Sequence, residues 1–300
     1  MLTVAAFYRF ARFPDPAALA PPLRALGRAQ GLCGTVLLAR EGINGTVAGR
    51  APGIDALMAH LRGLPGCADI DAKRSHAPTP PFGRFKVRLK AEIVTMGIPD
   101  ADPLQGTGTL VPPADWNALL ADPDTVAIDT RNAFEVALGS FPCALDPGTG
   151  SFGDFPAWWQ ANRARLAGKR LAMFCTGGIR CEKATAWLVA QGVPGVHHLQ
   201  GGILKYLEEV PPEQTLWQGE CFVFDGRVAL RPGLIPGTAT TCAACRRPLT
   251  PADRTHPCYE EGAACHHCLH EYTDTDRARF RERHRQMTLA HARATRHLGG

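Results

Sequence analysis

The stretch RLAMFCTGGIRCEKA, residues 170–184, decides the fold. Its first part, RLAMFC, predicts a short apolar strand that ends at Cys175, and residues 179–191 predict a helix. Gly177 and Gly178 lie between the two elements, where residues without a Cβ atom allow a tight turn. Cys175 is therefore expected at the carboxyl end of a strand, the edge at which α/β sheets bind ligands.

The loop is expected to favour an anion on the sulfur of Cys175. Backbone N–H groups of the loop and of the first helical turn would point toward the sulfur, and the helix dipole and Arg180 would add positive charge. The residues that form this cradle are Thr176, Gly177, Gly178 and Ile179. Such surroundings lower the pKa of a thiol and stabilise a persulfide or an oxyanion.

Other chemistries fit the loop less well. A zinc site would need further ligands nearby. A phosphotyrosine-type phosphatase loop would place arginine six residues after its cysteine, but Arg180 lies five residues after Cys175 and Cys181 takes the sixth position. The loop is therefore one residue short for a tetrahedral phosphate. An inert buried cysteine remains the alternative.

Length and composition describe an ordinary globular chain of two or three domains. The 300 residues are 45% hydrophobic and 20% charged, with a net charge of +5 that permits an anionic partner. There is no apolar run of about 18 residues and no signal-peptide pattern, so we expect no membrane span and a cytoplasmic location. In that compartment the 11 cysteines are expected to be metal ligands or reactive thiols rather than disulfides.

Residues 1–96 alternate strand-like and helix-like patterns in the order strand, helix, strand, strand, helix, strand. This order predicts a ferredoxin-like α/β sandwich, with FGRFKVRLKAEIV as its last strand. Lys86, Arg88 and Lys90 alternate along that strand and should share one face. The face is either solvated or a contact surface for phosphates.

Two further segments complete the chain after residue 96. Residues 97–113 contain four prolines and three glycines and are expected to be a linker. Residues 114–235 place helices between the apolar strands TVAIDTR, RLAMFC and GVHHLQGG, which predicts a parallel sheet.

Residues 236–300 contain two C-x-x-C pairs, 19 residues apart, followed by a basic tail. This spacing is typical of a zinc ribbon, so we expect structural zinc, with reduced free thiols as the alternative. The tail has seven arginines from Arg277 to Arg296 and is either an exposed, ion-paired helix or an electrostatic footprint for a nucleic acid. The metal ligands expected are Cys242, Cys245, Cys265 and Cys268, and the tail residues expected to contact phosphates are Arg279 and Arg283.

The central segment resembles a rhodanese domain. The cysteine loop, the upstream AIDTRNAFEVALGSFPCA and the downstream VHHLQGGI carry the resemblance. Two residues depart from the pattern, since Ser140 stands where histidine is usual and Cys181 where serine or threonine is usual. The resemblance implies that Cys175 is the persulfide-forming nucleophile. Cys181 would be a second, resolving thiol or a small packing residue.

The likeness extends over nearly the whole chain. FCTGGIRCEKA, LAREGINGTVAG and FGRFKVRLKAEIVTMG together resemble the bacterial rhodanese-related tRNA uridine hydroxylase family. That resemblance implies hydroxylation of the wobble uridine at C5, with dioxygen as co-substrate and the tRNA anticodon arm as partner. No motif for a further cofactor is found. A cysteine-centred mechanism through a persulfide or sulfenic species is the hypothesis for the chemistry.

Two other functions stay open on the sequence alone. A sulfurtransferase that moves sulfane sulfur would need only the central segment, so the flanking segments disfavour it. A zinc-containing RNA-binding adapter without catalysis would not need a thiol of low pKa, so the intact loop disfavours that.

Overall fold

The N-terminal part of the chain is a five-stranded sheet with two helices on one face. The computed structural model describes residues 1–293. The first elements are β1 Leu2–Phe10, α1 Pro16–Ala29, β2 Cys33–Ala39, β3 Gly42–Gly49, α2 Ala51–Arg62, β4 Ala72–Ala77 and β5 Phe85–Leu89. The strand order β4-β1-β3-β2-β5 contains the βαββαβ arrangement predicted for a ferredoxin-like sandwich.

The strand that closes this arrangement is β4, and the expectation that FGRFKVRLKAEIV would do so was wrong. That segment forms β5, an additional strand parallel to β2 at one edge, whereas β4 pairs with β1 at the other edge. The sequence of β4, AKRSHA, lacks a regular alternation of apolar and polar residues, so its pattern does not indicate a half-buried strand.

The two faces of the first sheet differ because side chains alternate along each strand. Val36 and Val47 point to the helical side and pack with Leu23 of α1 and Leu57 of α2 in a buried core. Helix α1 begins where Asp15 accepts hydrogen bonds from the first-turn N–H groups, at 3.0 and 3.3 Å. The opposite face, which carries Tyr8, Thr35 and Leu37, is turned toward the cysteine loop.

A second sheet forms the central part of the chain. Its elements are β6 Thr109–Val111, α3 Pro113–Ala121, β7 Thr125–Asp129, α4 Ala133–Val136, β8 Gly139–Ser140, β9 Ala144–Leu145, α5 Phe155–Asn162, β10 Arg170–Phe174, α6 Ile179–Ala190, β11 Val196–Leu199 and α7 Gly202–Glu209. The order is β6-β11-β10-β7-β9, and each neighbouring pair is parallel, which confirms the predicted parallel sheet. β10 is the central strand, buried on both faces as expected for such sheets.

Residues 97–113 are not a free linker, contrary to expectation. Pro103–Gln105 form a short 3-10 turn, and Thr109–Val111 pair with β11 as the edge strand of the second sheet. A strand of three residues is too short to give a detectable periodicity, and the surrounding prolines and glycines hide it.

The C-terminal part contains short strands and one long helix. Its elements are β12 Gln218–Gly219, β13 Cys221–Phe222, β14 Ala229–Arg231, β15 Ile235–Pro236, β16 Thr240–Thr241, β17 Pro248–Leu249 and α8 Asp274–Ala292. β13, β14 and β15 form a small antiparallel sheet, and β12 pairs with β8. Arg296, the last arginine of the basic tail, lies outside the described residues. Within residues 1–293, no helix has the length and apolar character that crossing a bilayer requires.

Candidate active site

Cys175 follows β10 directly and lies at the start of the loop that leads into α6. The N–H group of Gly178 donates a hydrogen bond to its sulfur, with N and Sγ 3.2 Å apart. Gly178 has φ +103° and is the residue before the helix, a conformation that favours glycine. Two backbone hydrogen bonds from α7 fix the loop. The N–H group of Ile203 donates to the carbonyl of Cys175 at 2.9 Å, and the N–H group of Leu204 donates to the carbonyl of Thr176 at 3.0 Å.

The surroundings of Cys175 stabilise its thiolate. Burial alone would raise its pKa, but a hydrogen bond from the thiol of Cys181, the charge of Arg180 and the backbone N–H groups of Cys181 and Gly178 outweigh burial and lower the pKa to about 5. Most of the sulfur is therefore ionised at neutral pH. Of the four residues expected to form the cradle, Gly178 donates its amide to the sulfur, whereas Thr176 donates through its hydroxyl to Glu135.

Cys181 keeps its proton. It is buried at the start of α6, and its sulfur lies 3.3 Å from Oγ1 of Thr130. Burial and the neighbouring Cys175 sulfur raise the pKa of Cys181 well above its ordinary value. The two cysteines thus have different states, with a thiolate at Cys175 and a thiol that donates to it at Cys181.

The positive charge of Arg180 is fixed by a carboxylate that the sequence analysis did not single out. Arg180 donates to both oxygens of Glu135, at 2.7 and 2.8 Å, and the Glu135 carboxylate is completely buried. Thr176 also donates to Glu135, at 3.3 Å. The signal for Glu135 was present in the motif NAFE, because Asn132 and Glu135 form the capping box of α4.

A second buried ion pair supports the strand beside the loop. Arg131 donates to Asp129 through Nε at 2.9 Å and through Nη2 at 2.6 Å, and it also bonds the carbonyl of Gly139. Ser140 donates to the same carboxylate of Asp129 at 2.8 Å. The serine at this position therefore helps to orient the Asp129–Arg131 pair that lies behind the loop.

A cavity of about 600 Å³ separates the cysteine loop from the open face of the first sheet. This volume is within the range of small-molecule sites. Most of its lining comes from strands β1–β4, the loop with Cys175 and the segment 223–234 around β14, and residues from other segments, such as Val94, Asn132 and Phe152, complete it. On the sheet side, Tyr8 donates to Glu182 of α6 at 2.8 Å, and Lys73 lies over the Tyr8 ring, 5.6 Å from its centroid. Lys73 was not expected at the site because β4 was not recognised, and Tyr8 was not expected there because the pattern of β1 does not show which element its face meets.

The strand β5 places two of the three expected cations beside this cavity. Lys86 is paired in register with Thr35, and Arg88 with Leu37, two residues of the cavity-lining face. Residues opposite each other on neighbouring strands point to the same face. Lys86 and Arg88 therefore extend that face toward solvent, and Lys90 follows them just beyond the strand.

The three long motifs of the sequence meet at one buried lysine. Nζ of Lys183, in α6, lies 2.7 Å from Glu41 and 2.6 Å from Glu92, and it also donates to the carbonyl of Val94. Its side chain is 1% exposed. Glu41 and Glu92 belong to the first domain, so this ion cluster fixes the loop helix against it.

Two arginines of α8, Arg279 and Arg283, lie away from the Cys175 cavity, and only Arg283 contacts the segment of the cysteine cluster. Arg283 donates to the carbonyl of Ala243, and its guanidinium lies 5.1 Å from the ring centroid of Phe280. Arg279 is exposed and lies 3.4 Å from Asp276. Neither lines the cavity of Cys175.

The four cysteines expected to bind metal are brought together. Their sulfur atoms all lie within 4.8 Å of one another, and Cys245 and Cys268 lie 3.8 and 3.6 Å from Cys265. The N–H group of Cys265 donates to the sulfur of Cys268 at 3.4 Å. Four converging thiolates suit a tetrahedral, thiophilic ion.

The fold and the loop together define an α/β protein with a buried cysteine at the edge of a parallel sheet, next to an N-terminal sandwich. Residues 2–93 match the family described as UPF0176 acylphosphatase like domain. Over 299 residues the chain is 57% identical to the tRNA uridine(34) hydroxylase of Jannaschia sp. strain CCS1, covering 100% of this chain and 99% of that protein. The chain belongs to the tRNA uridine(34) hydroxylase family.

Other proteins compared with the chain agree with this assignment or add little to it. The tRNA uridine(34) hydroxylase of Ruegeria pomeroyi is 58% identical over 298 residues, with 99% of both chains covered. Among solved structures, a rhodanese-related protein from Thermoplasma volcanium is 21% identical, with a TM-score of 0.28 over 35% of this chain and 95% of that chain. A TM-score this low carries no argument about this chain.

Proposed function

We propose that this protein hydroxylates uridine 34 of tRNA at C5, with dioxygen as co-substrate. The observation that carries the proposal is identity of 55–58% to relatives named tRNA uridine(34) hydroxylase, over 98–100% of this chain. The cavity next to the thiolate of Cys175 supports it, since sequence-specific RNA recognition favours unstacked loop bases that can enter such a site.

Cys175 is the reactive group in this proposal. Its thiolate would form a persulfide by taking the outer sulfur of a sulfane-sulfur donor, whose remainder leaves as a reduced anion. Alternatively, it would form a sulfenic species with dioxygen as oxidant and two electrons and two protons from an external donor, so that the second oxygen atom leaves as water. Arg180, held by Glu135, supplies fixed positive charge that favours an anion at the sulfur. Cys181 remains a thiol and donates a hydrogen bond to Cys175, so its first proposed role is to stabilise the thiolate. Its second proposed role is that of a resolving thiol.

The anticodon arm would bind across the mouth of the cavity. Lys86, Arg88 and Lys90 extend the cavity face and are proposed to contact phosphates. Arg279 is proposed as a more distant contact. Arg283 donates to Ala243 and lies over the Phe280 ring, so its main role would be to pack α8 on the cysteine cluster.

The remaining assignments complete this proposal. The domains are proposed as a ferredoxin-like domain at 1–96, a connecting segment at 97–113 whose strand β6 joins the second sheet, a rhodanese-like domain at 114–235, and a zinc-ribbon-like segment with a basic helix at 236–300. Cys242, Cys245, Cys265 and Cys268 would hold structural zinc, which would stabilise a segment that has a small apolar core. Action on tRNA is proposed to take place in the cytoplasm.

The function is tested by mass spectrometry of tRNA nucleosides from a strain that lacks this protein. Wild type and Cys143→Ser, a change at an exposed free cysteine, should both restore 5-hydroxyuridine derivatives, and Cys175→Ser should not. Loss of thiolated nucleosides instead of hydroxylated ones would indicate a sulfurtransferase. Full hydroxylation by Cys175→Ser would exclude the cysteine from the chemistry.

A further inference from the structure

Phe224 is an exposed aromatic side chain on the wall of the Cys175 cavity. It is 65% exposed although it is large and apolar. Its ring packs nearly perpendicular to Phe222, with centroids 4.9 Å apart and an angle of 89°, and also nearly perpendicular to Phe134 at 6.5 Å. Two aromatic neighbours thus hold the ring in place while most of its surface stays uncovered.

The turn that carries Phe224 is anchored to the first domain. Arg227 forms a two-point ion pair with Asp225, at 2.9 and 2.6 Å, and donates to Ser75 of β4 at 2.6 Å. Gly226 donates to the carbonyl of Pro81 at 2.9 Å. The Arg227 side chain is only 6% exposed. Phe224 is therefore fixed relative to both walls of the cavity, and Asp225 neutralises Arg227, so that this arginine is not available for phosphate.

The chemistry around Phe224 fits a single-stranded nucleotide. The opposite sheet face offers the hydroxyls of Thr35 and Thr46, which are paired in register, and the ammonium of Lys73. Lys86 and Arg88 continue the same face. A flat aromatic ring, neutral hydrogen-bonding groups and nearby cations are the three elements with which proteins hold an unstacked base and its phosphates.

We propose that Phe224 is the stacking platform for the base of uridine 34 when that base enters the cavity and approaches Cys175. The inference rests on the proposed function and assigns a base-positioning residue to it. Stacking on Phe224 would present the base between the C-terminal segment and the sheet, with its edge toward the cysteine loop. Phe224 takes no part in the chemical step.

The test uses the full-length protein and an anticodon stem-loop RNA with the fluorescent base pyrrolocytosine at position 34. Phe224→Ala and Phe224→Leu should each weaken binding by about tenfold or more, as loss of one stacked base does, and should abolish fluorescence quenching. Phe224→Trp should retain both. Leu110→Ala, at a residue that is 52% exposed on β6, should change neither.

Two results would overturn the inference. One is wild-type affinity and quenching in Phe224→Ala, and the other is equal behaviour of the leucine and tryptophan variants, which would show that apolar volume rather than a flat ring matters. Nucleoside analysis of the wild-type protein distinguishes failure of the Phe224 stacking role from failure of the proposed function. Hydroxylation by wild type together with unaltered binding by Phe224→Ala removes the stacking role alone, whereas absence of hydroxylation by wild type removes the function.

Discussion

A Cβ atom added to Gly178 would lie 2.9 Å from the hydroxyl oxygen of Tyr8. The loop of one domain and the first strand of the other therefore meet with no space for a methyl group. Because Tyr8 also donates to Glu182 at 2.8 Å, it cannot move away without breaking a buried hydrogen bond. The close approach of these two residues sets the distance between the thiolate loop and the sheet.

Gly178→Ala is expected to destabilise the protein and impair activity. The residue has φ +103°, so alanine adds backbone strain to the contact with Tyr8, for a loss of about 1–3 kcal/mol in the free energy of unfolding. The displaced loop should also lower the rate of uridine hydroxylation. Urea denaturation and nucleoside analysis measure the two effects.

Gly177→Ala is the matched control for that substitution. A Cβ atom at Gly177 meets nothing within 4 Å, so stability should stay within about 0.5 kcal/mol of wild type. Equal losses in the two variants would show that the loop requires glycine for a reason other than the contact with Tyr8.

The thiolate of Cys175 should be visible in a pH titration of absorbance at 240 nm. Hydrogen bonds and the charge of Arg180 outweigh burial and lower its pKa to about 5, so the difference between wild type and Cys175→Ser should rise with a midpoint near pH 5. Subtraction of the variant removes the signal of the other cysteines. A midpoint near the ordinary value of 9.0 would contradict the geometry of the loop.

Lys183→Met should weaken the attachment between the domains. The substitution leaves the carboxylates of Glu41 and Glu92 without their shared cation. We expect the free energy of unfolding to fall by about 3 kcal/mol. This is the low end for a broken buried ion pair, because both carboxylates are about one-fifth exposed. Lys169→Met is the control, because its ion pair with Asp124 is exposed and should be worth little. Similar urea midpoints for the two variants would refute this role of Lys183.

The same cluster should make wild type sensitive to acid. Burial would raise the pKa of Glu92, but the hydrogen bond and charge of Lys183 dominate and lower it from 4.5. A carboxylate with a lowered pKa stabilises the folded state fully above its ordinary pKa and loses this effect as the pH falls through the lowered value. The difference in stability between wild type and Glu92→Gln should therefore shrink below about pH 4.5; a difference that stays constant down to pH 2 would argue against it.

The zinc proposed for the four C-terminal cysteines should be detectable and removable. Elemental analysis should give about one zinc per chain, and a strong chelator should lower the melting temperature, because a metal held by these four sulfurs would stabilise the segment. Cys265→Ser should lose the metal. Cys258→Ser should keep it, since Cys258 lies outside the cluster of four. Full zinc content in Cys265→Ser would contradict the ligand set.

The parts of the fold that the sequence predicts well are those with regular, local signals. The strand that ends at Cys175, the glycine turn and helix α6 follow from apolar content and glycine chemistry in one short stretch. The C-x-x-C spacing likewise predicts the convergence of four sulfurs, because each knuckle is a local structure. The short strand β6 and the polar strand β4 carry no such signal, and they form through pairing with distant strands.

The candidate site divides in the same way. Arg180 is the fifth residue after Cys175, so the proximity of the two side chains follows from the loop itself. Glu135, Tyr8 and Lys73 reach the loop from positions far away in the chain, so only the tertiary structure reveals them. Their side chains determine the charge and shape of the site, which the loop sequence does not encode.

The ion cluster at Lys183 restricts how this protein can be recombined. A central domain transplanted without its N-terminal partner would leave a buried ammonium without Glu41 and Glu92, and Glu182 without the hydroxyl of Tyr8. A functional chimera would have to transfer these partners as a set. The two domains are therefore expected to be inherited together, as a single unit of exchange.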